Sequence, residues 1–239
     1  MKILAVDSSG LVASVAIVED DVLKAEYTTN FKKTHSQTLM PMIDEIVRMT
    51  ETDLATMDAI AVAKGPGSYT GLRIGSATVK GLALVLDKPI IAVPTVEGLA
   101  YNLYGTNRII CPLMDARRNQ VYTGLYKFEG DAFHVLKEQA PLGIEEIIEE
   151  INTLSEPVIF LGDGVLPYKD KIEEMVKVPF LFAPAHLAAQ RAGALALRAK
   201  EMFLAGQIET ADEHKPDYLR LSQAERERNE REQSGKERV

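Results

Sequence analysis

Ile3-Leu4-Ala5-Val6-Asp7-Ser8-Ser9-Gly10 decides the fold. A short apolar run ends on an aspartate, small turn-forming residues follow, and the chain resumes as two further strands, Ala13 to Val18 and Val22 to Thr28. The same arrangement returns a hundred residues later. Ile109 to Met114 ends on Asp115, Arg117-Arg118-Asn119 makes the turn, and Val121 to Phe128 and Ala132 to Lys137 read as strands.

The elements between and after these runs also match. The spacing predicts a helix over Ser36 to Met49, with Ser36 as N-cap and Pro41 as a kink or later start. Ala59 to Ala63 reads as a buried strand, and Gly65-Pro66-Gly67-Ser68-Tyr69-Thr70-Gly71 leads into a helix ending at Leu86. Pro89 to Val93 is then a strand and Thr95 to Tyr104 a helix. In the second half, Ile144 to Ile151 reads as a helix, Val158 to Leu161 as a strand, Gly162-Asp163-Gly164 as the turn matching Gly65-Pro66-Gly67, and Tyr168 to Val176 as a helix. Phe180 to Phe182 is a last strand, and His186 to Leu204 a long last helix.

An antiparallel meander followed by crossovers is the pattern of a mixed α/β sheet with helices on its faces. Its recurrence in order predicts a duplication of two lobes, 1–107 and 108–221, the second ending in the long helix. Residues 222–239, rich in both charges and nearly without apolar side chains, read as a solvated, mobile tail.

Composition narrows the function. The chain has 239 residues and a formal charge of −8, which gives no broad positive field to attract a phosphate backbone. Its one cysteine, Cys111, sits in an apolar run and reads as a small core residue. Without an intrachain disulfide, a signal peptide or an 18-residue apolar run, the expectation is a soluble cytoplasmic protein with no membrane contact.

Three features bear on chemistry. Asp7 at its strand end either helps to hold a metal-bound nucleotide phosphate or caps its own turn. The segment Gly65 to Gly75 lacks both the Gly-Lys-Ser/Thr ending of a P-loop and a dinucleotide fingerprint; it reads as a sharp turn opening a closely packed helix. Between Gly71 and Leu86 only Arg73 and Lys80 are charged, and the preceding helix carries Leu39, Met40, Met42, Ile43, Ile46, Val47 and Met49 over about half its circumference, a surplus of apolar surface. No paired-histidine metal motif and no Gly-x-Ser-x-Gly elbow occurs.

Together, Ile3 to Ser9, His35-Ser36-Gln37-Thr38-Leu39-Met40-Pro41, Gly65 to Gly75, Asp115-Ala116-Arg117-Arg118 and Pro216-Asp217-Tyr218-Leu219-Arg220 resemble the TsaB (YeaZ) family from near one end of the chain to the other. The resemblance implies the actin-like/sugar kinase/heat-shock fold. It also implies a non-catalytic subunit needed for the threonylcarbamoyl modification of the adenosine beside certain tRNA anticodons, working with a catalytic homologue, TsaD, and an ATPase, TsaE. Where the catalytic relative has two histidines four apart for its metal, this chain has His35 and Leu39, which speaks against metal-dependent transfer or proteolysis. The family's pairing surface falls on the two helices above, which implies an interface of Leu39, Met42, Ile43, Ile46, Gly71, Ile74, Gly75, Thr78 and Leu82, shared between a homodimer and the heterodimer. An actin-like fold would bind a nucleotide at Asp7, Gly162, Asp163 and Gly164; no cofactor of its own is implied, ATP or ADP entering with the complex, and tRNA only through it. The alternative is a small-molecule kinase or ATPase of the same fold.

Overall fold

The computed structural model describes residues 1–31 and 34–219; the proposed tail, 222–239, lies outside them. The chain runs β1 (Lys2–Asp7), β2 (Ala13–Glu19), β3 (Val22–Thr29), α1 (His35–Thr50), β4 (Ala59–Gly65), α2 (Tyr69–Leu86), β5 (Ile90–Pro94) and α3 (Thr95–Ala100). It continues with β6 (Ile109–Asp115), β7 (Gln120–Glu129), β8 (Ala132–Gly143), α4 (Ile144–Leu154), β9 (Val158–Leu161), α5 (Val165–Met175), β10 (Phe180–Phe182) and α6 (Ala192–Leu204).

Two five-stranded sheets result, in the orders β3-β2-β1-β4-β5 and β8-β7-β6-β9-β10. In each, the first three strands are antiparallel and the later two join in parallel beside the first. The repeat seen in the sequence is thus a repeat of sheet topology. β1 is central and apolar on both faces: Leu4 and Val6 join the core under α1 and α2, whereas Ile3 and Ala5 join the core under α6.

Several boundaries differ from the sequence reading. α6 begins at Ala192 rather than His186, and although it follows the second sheet it packs on β1, β2 and β5 of the first. Sequence order suggested the opposite. What draws the helix back is a surface built for it: Ala192, Ala196 and Ala199 lie flat against the first sheet, while its free N–H groups are met by Ser14 Oγ (to Ala192 N, 2.9 Å) and Glu26 Oε1 (to Gly193 N, 2.9 Å). α1 starts at His35 with Thr34, not Ser36, at the N-cap, and Pro41 sits within the helix on its exposed side. α3 ends at Ala100 and tightens into a 3₁₀ turn, Tyr101–Leu103. α5 starts three residues earlier than expected, at Val165. β8 runs on to Gly143 through Pro141, which an edge strand tolerates because it leaves one side of its ladder unpaired.

Among the described residues, no helix is long and apolar enough to cross a membrane.

Candidate functional site

The two strand-end aspartates use the same local chemistry. Asp7 Oδ1 accepts from Ser9 N (2.9 Å), and Asp115 Oδ1 accepts from Arg117 N (2.8 Å). Each closes a side-chain-to-backbone turn. Their surroundings differ. Asp7 is 2% exposed and takes a second bond from Ser9 Oγ (2.6 Å). Burial raises its carboxyl above the usual range. The bonds that Asp7 makes are those of a turn cap.

The glycine segment explains that burial. Ser68 N donates to Ser9 O (2.7 Å), and Ser8 Oγ donates to Gly71 O (2.9 Å). A Cβ on Gly67 would collide with Ser9 O, one on Gly71 with Ser8 O, and one on Gly75 with Ser8 Oγ. The glycines let the loop and the first turns of α2 lie directly on the Ser8–Gly10 turn. Ser68 caps α2 by accepting from Gly71 N (3.3 Å).

The second turn faces open space. A cleft of about 1070 Å³ lies between the two sheets, bounded by Ser9 and Gly10, by Gly67 to Leu72, by Met114 to Arg117, and by Asp163 and Asp217 to Leu219. Asp163 lies in its wall and Asp7 does not. Asp163 accepts from Asp115 N (3.1 Å), and burial raises its carboxyl. Gly162 and Gly164 press on Leu113 O, so the Gly162-Asp163-Gly164 turn packs behind Asp115 without covering it. Of the four nucleotide candidates, the structure thus brings Asp163 to the cleft, sets the two glycines behind it, and buries Asp7 elsewhere. Asp115 and Arg117, which the sequence reading left out of the site, line the cleft; their match to the Asp7 turn was the signal that could have included them. Tyr69 and Tyr218 meet at its mouth, ring centres 4.7 Å apart.

His35 opens α1, its Nε2 2.8 Å from Gly10 O. Leu39, one turn on, is buried. Among the described residues no group of three or more His, Cys, Asp or Glu could hold a metal ion. Cys111 is buried against Thr123, and burial pushes its thiol up to about 12.

The interface set divides into three. Leu39, Met42, Ile43 and Ile46 are buried in the chain's own core with Leu4, Val15 and Ile60, and so cannot meet a partner; this corrects the expectation. Their i, i+3, i+4, i+7 spacing is the stripe that holds α1 to its own sheet. Gly71 and Gly75 are buried against Ser8, which corrects them too. Ile74, Thr78 and Leu82 remain partly exposed, beside exposed Ala77, Gly81 and Val85 on the same helix; Met40 on α1 is also exposed.

The chain matches the model of the family described as TsaD, tRNA N6-adenosine threonylcarbamoyltransferase, over residues 24–228. It is 38% identical over 229 residues to the tRNA threonylcarbamoyladenosine biosynthesis protein TsaB of Bacillus subtilis, covering 94% of this chain and 96% of that one. The solved structure of YeaZ from Pseudomonas aeruginosa superposes with a TM-score of 0.79 at 28% identity, over 91% of this chain and 99% of that one. A ROK hexokinase from Thermus thermophilus superposes with a TM-score of 0.50 at 11% identity, over 86% and 100%, which places the duplicated sheets in the sugar-kinase fold. With full-length relatives of this kind and the duplicated actin-like architecture, the chain belongs to the TsaB (YeaZ) family of tRNA threonylcarbamoyladenosine biosynthesis proteins.

Proposed function

We propose that the chain is a partner-binding, non-catalytic subunit in the cytoplasmic synthesis of threonylcarbamoyladenosine on tRNA, acting with a catalytic homologue, TsaD, and an ATPase, TsaE. The observation that carries the docking role is the outer face of α1 and α2. There Ile74, Thr78 and Leu82 form a partly exposed line on α2, flanked by Val85 at 85% exposure and by the small residues Ala77 and Gly81, and α1 adds exposed Met40. A Cβ on Gly81 would meet nothing within 4 Å, so a partner helix can approach the α2 backbone closely. A second copy would use the same face, and homodimer and heterodimer would therefore compete. The non-catalytic role is supported by a one-histidine α1, with His35 held on Gly10 O and Leu39 in the core. The cleft that a kinase of this fold would use has Asp115 and Asp163 in its wall, and ATP or ADP is assigned to the assembled complex rather than to this subunit.

The test mixes the chain with its catalytic homologue and follows both complex formation and tRNA threonylcarbamoylation. Ala77→Asp puts a charge on an exposed docking position. It should weaken the complex by at least about a hundredfold while leaving the free chain's stability within about 0.5 kcal/mol. Normal modification by Ala77→Asp would remove the docking assignment, and rapid ATP turnover by the isolated chain on a small-molecule acceptor would replace the subunit reading with the kinase one.

A further inference from the structure

The β7–β8 ladder shifts register at two successive steps, and the first shift has a use. Thr123 pairs with Ala140 and Leu125 with Lys137, so across this step β7 advances two residues and β8 three. The extra residue makes a β-bulge, which re-aims side chains out of the ladder. Gly124 lies opposite, where a Cβ would meet Tyr126 Oη at 2.5 Å and Lys137 O at 2.8 Å. Within the bulge, Gln139 turns away from its own sheet and reaches the first. Its Nε2 donates to Gly65 O (3.0 Å) and its Oε1 accepts from Val96 N (3.2 Å). A carbonyl on one side and an N–H on the other fix which way the amide points.

Gly65 is where three other parts of the chain meet. It ends β4 at φ +123°, its N donates to Thr95 Oγ1 (3.0 Å), and Asp217 O fills the place a Cβ would take. Asp217 N in turn donates to Lys64 O (2.6 Å). Three residues further on, Ser68 starts the contact with Ser9 and caps α2. One side chain of the second sheet thus grips the root of the loop that sets the position of α2. The cleft lies between those same two sheets.

We infer that Gln139 is a positioning residue that links the spacing of the two sheets to the placement of α2, so that closing the cleft and presenting the docking face occur together. The docking half of this inference rests on the proposed function; the anchoring half does not. Gln139→Glu keeps an acceptor for Val96 N but sets a carboxylate without a donor against Gly65 O. Gln139→Leu loses both bonds.

Hydrogen exchange on the full chain reads the anchor, and binding to the catalytic homologue reads the link. In Gln139→Glu, the amides of Gly65 and Ser68 should exchange about tenfold faster while those of α4 keep wild-type rates, which a general loss of stability would not allow. Affinity for the homologue should fall about tenfold. Wild-type exchange at Gly65 and Ser68, or faster exchange with full affinity, would overturn the inference. If Gln139→Leu fails to fold, Gln139→Glu decides alone. If the wild-type chain itself does not bind the homologue, the proposed function fails instead, and exchange still judges the anchor.

Discussion

The turn after β1 and the turn after β6 are copies that have gone different ways. Both begin with an aspartate bonded to the amide two residues on, at 2.9 and 2.8 Å. The first continues through Ser8, Ser9 and Gly10, residues small enough for the Gly67–Gly75 segment to lie on them. The second continues through Ala116, Arg117, Arg118 and Asn119, the last three all at positive φ, and its matching glycine turn stops at Leu113. One copy has become a packing surface under α2, while the other still faces the cleft. Two copies of one turn can therefore diverge, one sealed by packing and the other left open.

The largest expected effect comes from breaking the sealed copy. Gly71→Ala would press a Cβ carried by α2 into Ser8 O, a backbone atom of the turn directly after β1. Overpacking that backbone cannot relieve should cost about 3 kcal/mol, read as a lower urea midpoint at unchanged slope. A shift below about 1 kcal/mol would mean that α2 can slide on the turn, and the contrast between the two copies would lose its physical basis.

The sequence made the sheets legible because strand, aspartate and turn recur in order, and because β1 and β6 carry apolar residues on both faces. It left the exposed face of α1 illegible for an equally physical reason. Periodicity shows that α1 has more apolar residues than one stripe requires, but not which stripe meets the chain's own sheet; Leu39, Met42, Ile43 and Ile46 are core, and Met40 and Met49 are the surplus. Nor can local spacing reveal long-range returns. α6 lies on the first sheet because Ser14 and Glu26, far back in the chain, receive its N-terminus, and the Gln139 bond to Gly65 spans 74 residues.

A smaller effect tests whether Asp7 has kept any need for its charge. In Asp7→Asn the Oδ1 atom can still accept from Ser9 N and Ser9 Oγ, while the buried charge is gone, so stability above the carboxyl's folded pKa should rise by about 1 kcal/mol. The sign follows from the raised carboxyl. The folded chain takes up this proton at a higher pH than the unfolded chain does, so wild type carries the full cost above its folded pKa and loses it progressively between there and the unfolded value. The gap between Asn and wild type should therefore be full above the folded pKa, shrink as pH falls below that value, and vanish below the ordinary 3.8. Loss of tRNA modification in a stable Asp7→Asn would show that the sealed copy still acts on a ligand.

The smallest effect belongs to the open copy. Arg117 holds φ 64° with its side chain 86% accessible, and its guanidinium stands 3.9 Å from Asp115, an ion pair of little worth in water. Left-handed backbone costs a non-glycine residue about 1 kcal/mol, and a glycine there gives back roughly half of that through the freer unfolded chain. Since Arg117→Gly keeps the N–H that Asp115 accepts, the net change should be a gain of no more than about 0.5 kcal/mol. Near-neutral stability with reduced tRNA modification would then assign Arg117 to ligand or partner contact across the cleft, because a turn kept only for its shape would prefer glycine. Near-neutral stability with full modification would leave the open turn as a relic of the duplication. A loss above about 1 kcal/mol would show that the arginine packs as firmly as the glycines opposite, and the two copies would differ in exposure alone.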